Sequence, residues 1–232
     1  LQPVLKSLID AGIISAIAMN GAGPVHDYEI SLIGETSEDV GAVLHEGHFG
    51  MAEETGRDIN FALKRGVERG LGYGEAVGRF IIDNNNPHRD LSLLATCVER
   101  KIPVTVHVAL GTDIIHQHPA ADGAVIGAAS FTDFRLLTAV VSELVDGGVF
   151  LNVGSAVILP EVFLKALSIA QNLGHRVDRF TTANFDMQQH YRPLQNVVKR
   201  PTSGASRGYT ITGHHEIMLP LLAAGILDRV KG

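Results

Sequence analysis

The residues best suited to chemistry follow the predicted strands of this chain. They lie in four loops: Asn20-Gly21-Ala22-Gly23, Leu110 to His118, Gly154-Ser155 and Asn184-Phe185-Asp186. Small residues let the backbone approach a ligand, and a helix that begins after such a loop offers free N–H groups to an anion such as a phosphate. Because loops at the carboxyl ends of parallel strands lie on one edge of a sheet, we expect the four loops to line one ligand-binding cleft.

The chain contains 11 histidines, which form a second group of candidate residues. His107, His116 and His118 lie on or after the second predicted strand. Alternate residues of a strand share a face, so such a group could bind zinc or iron. A metal-dependent hydrolase is therefore one alternative, although the spacing fixes no third ligand and we assign no metal ligand.

Two residues are candidates for covalent chemistry. Ser155 lies between Gly154 and Ala156, which is not the nucleophile-elbow pattern of a serine hydrolase, and we reject that role. Lys199 lies within the polar segment 187–207. A buried lysine that loses its proton readily could form an imine with a carbonyl compound derived from an amine.

Hydrophobic periodicity predicts the elements that position these loops. Short apolar runs indicate strands at 13–19, 103–109, 149–153, 177–183 and 209–212. Helical patterns lie between them, including one at 131–145 with Ser130 or Thr132 as N-cap, and a helical insertion at about 45–100. The β-α-β order predicts an α/β fold, a doubly wound and mainly parallel sheet formed by residues 1–232 as a single domain. We also expect a further strand before Leu1.

Composition limits the partners and the compartment. The formal charge is −6 and no Lys/Arg cluster occurs, which argues against nucleic acid. Cys97 is the one cysteine, so no disulfide forms within the chain, as is typical of a cytoplasmic protein. No apolar stretch looks long enough to span a bilayer, so we expect no membrane partner.

Four segments resemble the deoxyhypusine synthase family, in the same order along the chain. They are Met19–Asp27, Ile102–Asp113, Phe180–Asp186 and Leu219–Leu222. The resemblance implies a doubly wound NAD-binding fold and a homotetramer with active sites at subunit interfaces. It also implies a reaction in which NAD oxidises spermidine, and a lysine imine passes the aminobutyl group to the precursor of translation factor 5A.

The resemblance implies a role for each matching residue. Asp113 matches a carboxylate of the amine site, and Lys199 lies near the position of the catalytic lysine. In the looser version of this hypothesis, NAD serves redox chemistry on another amine and one of His116, His118 or His26 moves protons, because the histidine pKa lies near working pH. The residues that match the nucleotide-binding loops are Asn20, Gly21, Ala22, Gly23, Gly154, Ser155, Thr182, Ala183, Asp186, Gly213 and His214.

The chain also departs from the family pattern. It has no tryptophan, and Val198 precedes Lys199 where the family has Trp-Gly-Lys. Ile158-Leu159-Pro160 replaces a histidine pair, and His26 stands where a glutamate is expected. Two further alternatives therefore stay open. One is an NAD-dependent enzyme that acts on another amine or polyamine, and the other is a non-catalytic relative that binds the cofactor.

Overall fold

A computed structural model describes residues 1–37 and 39–231 of the protein, with the backbone alone for residues 42, 43 and 231. The architecture is α/β, and the strands pair in parallel. Contacts group the chain into two compact units. The first unit contains Ala16–Asp133 and Gln2, and the second contains Leu1, Pro3–Ser15 and Phe134–Gly232.

The first unit is built on two parallel strands, β1 (Ile17–Asn20) and β2 (Val104–His107). Ile17 pairs with Val104 and Asn20 with His107, so both strands end at the same level. The helices between them are α2 (Ala22–Ile33), α3 (Val40–Val43), α4 (Glu53–Glu68), α5 (Tyr73–Asp83) and α6 (Leu93–Arg100). Shorter 3₁₀ turns are Leu44–Glu46, Arg89–Leu91 and, after β2, Ile114–Gln117.

Glycines let α5 approach its neighbours closely. A Cβ added to Gly74 would lie 2.3 Å from the carbonyl oxygen of Val104 on β2. A Cβ on Gly78 would lie 2.7 Å from the carbonyl oxygen of Leu94 on α6. Any larger residue at these positions would push α5 away from β2 and α6, because backbone atoms cannot move aside as a flexible side chain can.

Asp27 joins α2 to α6 in the core of the first unit. Its carboxylate accepts hydrogen bonds from the Ser92 hydroxyl and from the backbone N–H groups of Leu93 and Leu94. These are first-turn N–H groups of α6 that have no partner within the helix. Burial raises the pKa of Asp27, although the hydrogen bonds act to lower it. We therefore assign Asp27 a structural role.

The second unit is built on three parallel strands in the order β3 (Val149–Val153), β4 (Thr181–Asp186) and β5 (Arg207–Thr212). The rings of Phe150 on β3 and Phe163 on the helix Ile158–Asn172 are stacked with their centroids 3.8 Å apart, and they pack this strand against that helix. The helices of this unit are α1 (Gln2–Asp10), α8 (Ile158–Asn172), α9 (Tyr191–Pro193) and α10 (His215–Lys231), with a π-helical segment at Leu194–Lys199. Helix α7 (Gly123–Ser142) begins in the first unit and ends in the second.

The predicted parallel α/β architecture is confirmed, with three differences. The described strands form two sheets, β1-β2 and β3-β4-β5, where we expected one. Segment 187–207, expected to be a loop, contains α9 and the π-helical segment. Helix α7 begins at Gly123, so Ser130 and Thr132 lie inside it and do not cap it, and the Ser130 hydroxyl donates to the carbonyl oxygen of Val106.

The expectation that no stretch is long enough to span a bilayer is wrong for α7. This helix has 20 residues, a mean hydropathy of 1.5 and 28% of its apolar window buried. It is the one such helix in the described part of the chain, and a core helix of a soluble protein can have the same length and composition. Helix α7 is therefore weak evidence for a membrane span.

Candidate functional site

A cavity of about 920 Å³ lies within the first unit. Its walls come from α2 and the segment after it, from the start of α4 and from the loop after β2. Four carboxylates line it, and Lys and Arg are absent from its described lining residues. The four carboxylates belong to Glu29, Glu35, Glu54 and Asp113. Such a lining favours a cation over an anion.

Asp113 enters the cavity beside Gly21. The two residues come from the loops after β1 and β2, which are adjacent because those strands pair in parallel. A Cβ on residue 21 would lie 1.9 Å from Oδ2 of Asp113, so only glycine leaves room for this carboxylate. The start of α2, which we expected to face a phosphate, therefore lies against a carboxyl group.

Asp113 and His116 hold each other in position. The Asp113 side chain accepts the backbone N–H of His116, while Nδ1 of His116 accepts the backbone N–H groups of Gly111 and Asp113, each at 3.1 Å. Since Nδ1 is an acceptor, the proton of a neutral His116 ring lies on Nε2. This reciprocal arrangement is a capping box with histidine in the place of the usual glutamate.

The facing atoms of these two side chains have no hydrogen-bond partner. Nε2 of His116 lies 3.9 Å from Oδ2 of Asp113, and both atoms are buried without a partner in the described part of the chain. Side-chain exposure is 8% for Asp113 and 9% for His116. Burial raises the pKa of Asp113, and the nearby imidazole acts in the opposite direction. A bound cation would compensate for this burial.

A second group of hydrogen-bonded polar side chains also lines the cavity. Glu29 accepts hydrogen bonds from the hydroxyls of Thr36 and Thr55. Nδ1 of His26 lies 2.8 Å from the Thr36 hydroxyl oxygen. Glu29, Thr36 and Thr55 were not identified from the sequence, because neither residue type nor spacing distinguishes them from ordinary surface residues.

The other two histidines of the proposed metal site have separate partners. His107 is 3% exposed, its Nε2 lies 2.9 Å from the Thr105 hydroxyl, and burial lowers its pKa to about 4. His118 places Nε2 3.1 Å from Oε2 of Glu53. Across the described ranges, no group of three His, Cys, Asp or Glu residues is arranged to hold a metal ion. The three histidines therefore do not form a common site.

Asp133, a buried carboxylate on α7, was not identified from the sequence. One of its oxygens accepts the backbone N–H groups of Gly74 and Val106, at 3.0 and 2.7 Å. A Cβ on Gly72 would lie 1.7 Å from the other oxygen, which has no partner among the described residues. Burial raises the pKa of Asp133 to about 7. The sequence feature that could have identified Asp133 is an acid within the otherwise apolar pattern of α7.

In the second unit, side-chain amides connect the ends of the three strands. Asn152 at the end of β3 donates to Asn184 on β4 at 2.7 Å, and Asn184 donates to Gln189 at the same distance. Gln189 then donates to the hydroxyl of Thr212, the last residue of β5, at 3.2 Å. The loops after β3 and β4, two of the four expected to line one cleft, thus lie together with the loop after β5.

The backbone of these loops is tied together as well. The N–H of Gly154 donates to the carbonyl of Phe185, and the N–H of Gly213 donates to the carbonyl of Asp186. His215, which sequence analysis did not single out, places Nε2 3.1 Å from the carbonyl oxygen of Phe185. The neighbouring His214 precedes α10, and its carbonyl oxygen accepts the backbone N–H of Met218.

The remaining site residues of the second unit differ in accessibility. Thr182 and Ala183 lie inside β4 and are buried, and the Thr182 hydroxyl donates to the carbonyl of Val197. Ser155 uses its hydroxyl to accept the N–H of Leu159 at the start of α8. Lys199 ends the π-helical segment and is exposed, so it lacks the buried surroundings expected of an imine-forming lysine.

The structure therefore divides the predicted site residues between the two units. Asn20, Gly21, Ala22, Gly23, His26, Asp113 and His116 belong to the first unit, and the others belong to the second. A scan against protein-family models and a search of curated proteins found no match to this chain. The functional assignment consequently depends on the geometry of the site and on the four segments described above.

Proposed function

We propose that the chain is an enzyme that binds a small aliphatic amine in the cavity of the first unit. The carboxylates that line this cavity, without a Lys or Arg among the described lining residues, are the observation that supports the proposal most strongly. Each could accept a charge-assisted hydrogen bond from an ammonium group. Asp113 is one candidate, because it lines the cavity and no group among the described residues forms a hydrogen bond to its Oδ2.

The rest of the lining suits the hydrocarbon part of such a ligand. Val25, Leu32 and Ile33 of α2 provide aliphatic surface, and Phe49 provides an aromatic ring. Methylene groups can pack on the aliphatic side chains, and an ammonium group can lie over the ring. The volume of about 920 Å³ lies within the usual range for small-molecule sites. A polyamine such as spermidine has this alternation of charge and methylene groups.

The more specific proposal is an NAD-dependent, deoxyhypusine synthase-like transferase. Its support is the resemblance of the four segments together with the acidic cavity at Asp113. In this proposal a lysine imine carries the aminobutyl group of spermidine to a protein lysine, that of the translation factor 5A precursor, and Lys199, the residue expected to form it, is exposed in the second unit. A cytoplasmic homotetramer is part of the same proposal. Another amine or polyamine as substrate would require the same cavity.

The residues proposed to bind NAD differ in how well they suit it. In the second unit, Asp186 is the last residue of β4, where an acid suits the hydroxyls of a ribose. In the first unit, the carboxyl group of Asp113 against Gly21 disfavours a phosphate at the start of α2. The second-unit residues therefore fit a dinucleotide better than Asn20-Gly21-Ala22-Gly23 do. When bound, NAD would supply the oxidising chemistry of the reaction.

Equilibrium dialysis with spermidine tests the amine proposal. We expect saturable binding that weakens as salt is added, because opposite charges are screened. A dicarboxylate of similar length serves as the matched control and should not bind. Equal binding of the dicarboxylate and spermidine would refute a site selected for cations.

A further inference from the structure

Three residues of the first unit form a continuous hydrogen-bonded chain that ends in the cavity. His26 and Glu29 lie three positions apart on α2, so their side chains share a face of the helix. The helix ends at Gly34, whose φ of 83° lies in the left-handed region and reverses the chain. Thr36 thereby returns over α2 and bonds to both side chains.

The directions of the hydrogen bonds follow from the number of protons. A threonine hydroxyl has one proton, and Thr36 donates it to Oε2 of Glu29. The Thr36 oxygen can then only accept from His26, so Nδ1 of His26 carries a proton. Glu29 is held in turn by the buried hydroxyl of Thr55, at 3.1 Å from Oε1. In a neutral His26 ring, Nε2 is therefore left with a lone pair.

We propose that His26 is the base that removes a proton from the bound amine, and that Thr36 and Glu29 are positioning residues that fix its tautomer. The inference rests on the proposed amine-binding function. His26 lines the same cavity as the carboxylates, and its ring is exposed to the cavity and solvent. The arrangement follows the logic of a carboxylate that orients a histidine, with a hydroxyl interposed.

The reaction needs such a base because an ammonium nitrogen has no lone pair. Oxidation at the adjacent carbon, or attack by the nitrogen, requires the neutral amine. In the proposed step, one N–H bond of the ammonium breaks and its electron pair stays on nitrogen. The proton forms a new N–H bond at Nε2 of His26, and the resulting imidazolium keeps its Nδ1–H bond to Thr36. Solvent can then take the proton, because His26 is exposed.

The charges around His26 suit both states of the ring. Among the described lining residues, the titratable groups that share the cavity with it are Glu29, Glu35, Glu54 and Asp113. All four are acids, so they attract the ammonium before the transfer and the imidazolium after it. No basic side chain among the described lining residues opposes the charged histidine.

Nitrogen-15 NMR of histidine-labelled protein tests the tautomer without any ligand. We expect the Nδ1–H tautomer for His26 in the wild type and in Thr36→Ser, which keeps the hydroxyl. Thr36→Val has a similar shape without the hydroxyl, and its His26 should become a mixture of tautomers. Identical His26 spectra in Thr36→Val and Thr36→Ser would overturn the positioning role of Thr36.

Spermidine addition then tests the base. In the wild type and Thr36→Ser, we expect the Nε2 resonance of His26 to move toward a hydrogen-bonded value, and we expect a smaller change in Thr36→Val. Spermidine-dependent reduction of NAD should fall roughly 10²- to 10⁴-fold in His26→Gln, with less than a tenfold change in spermidine Kd. Spermidine binding without any change in the Nε2 resonance of His26 would overturn this inference and leave the proposed function standing. Absence of spermidine binding to the wild type would overturn the proposed function and this inference with it.

Discussion

The carboxyl group of Asp113 lies against Gly21, so close that a Cβ at position 21 would be 1.9 Å from Oδ2. The two residues belong to loops after neighbouring parallel strands, and their contact places a buried carboxylate at the cavity wall. In the sequence, Gly21 resembled part of a nucleotide-binding loop. The structure explains the glycine at this position differently, because it leaves space for the carboxyl group of Asp113.

Gly21→Ala should disturb the site more than the fold. The added methyl group forces the Asp113 carboxylate to move, which we expect to cost about 1–3 kcal/mol of stability and at least tenfold in spermidine affinity. Gly127→Ala is the control, because nothing lies within 4 Å of a Cβ at that position of α7. Chemical denaturation and equilibrium dialysis measure the two effects. Unchanged spermidine affinity in Gly21→Ala would contradict the role of this contact.

Asp113→Asn should weaken amine binding while it preserves the shape of the side chain. Loss of a charged hydrogen bond of about 1.5–3 kcal/mol predicts a decrease of roughly 10- to 150-fold in affinity. Asp122→Asn is the matched control, since Asp122 follows the same loop but does not line the cavity. Fluorescence competition with a labelled polyamine provides the measurement, and equal effects of the two variants would rule out a specific role for Asp113.

The pH dependence of amine binding should also change in Asp113→Asn. Burial raises the pKa of Asp113, so its charge is lost at a higher pH than that of an ordinary carboxylate. As the pH is lowered, the affinity of the wild type for spermidine should therefore begin to decrease at a higher pH than ordinary carboxylates would cause. In the asparagine variant, this decrease at higher pH should be absent. Titrations over a pH series measure it, and superimposable profiles would disagree with the expectation.

The sequence was most informative where local periodicity was strong. The predicted strand at 149–153 agrees with Val149–Val153. The start of α7 was misplaced because Gly123, Ala124 and the residues after them are small or apolar without a clear helical face. Hydrophobic periodicity predicts the bounds of an element only where that periodicity is strong.

The pattern of residue types predicted site residues best where they follow strands. Asp113 was identified in this way, and it does line the cavity. His26 was named from the family resemblance, but its hydrogen-bonded connection through Thr36 to Glu29 was not predicted, because it depends on the left-handed turn at Gly34. Asp133 was missed because its partners Gly74 and Val106 are distant in sequence.

Asp133 and His107 should make opposite contributions to the pH dependence of stability. The pKa of Asp133 is raised from 3.8 to about 7, so its contribution is complete below pH 3.8 and is lost as the pH rises toward 7. The pKa of His107 is lowered from 6.5 to about 4, so its contribution is complete above pH 6.5 and is lost as the pH falls toward 4. The two contributions therefore oppose each other in the wild type between pH 4 and 6.5.

Single variants separate these contributions. Relative to the wild type, the unfolding free energy of Asp133→Asn should rise with pH between 4 and 7, by roughly 1–3 kcal/mol, because the destabilising charge is gone. In His107→Gln the relative change should have the opposite sign. Urea denaturation at intervals of one pH unit measures both, and curves parallel to that of the wild type would contradict the assignment.

Lys199 should form a reducible adduct if it carries the aminobutyl group. Borohydride added during turnover of spermidine with NAD should leave a mass increase on a peptide that contains Lys199. Lys199→Arg, which keeps the positive charge, should abolish this adduct, whereas Lys165→Ala, which removes a lysine paired with Glu161, should not. An adduct of equal yield in Lys199→Arg would remove the imine role from Lys199.

A calorimetric titration of spermidine, with and without NAD, tests most directly whether the cavity is an amine site. We predict one spermidine bound per chain, with affinity that depends on Glu29 and Asp113 and is strengthened by NAD. Glu29→Gln and Asp113→Asn should each reduce that affinity, and Asp122→Asn should leave it as in the wild type. Absence of spermidine binding, or binding that both cavity variants retain in full, would contradict the proposal.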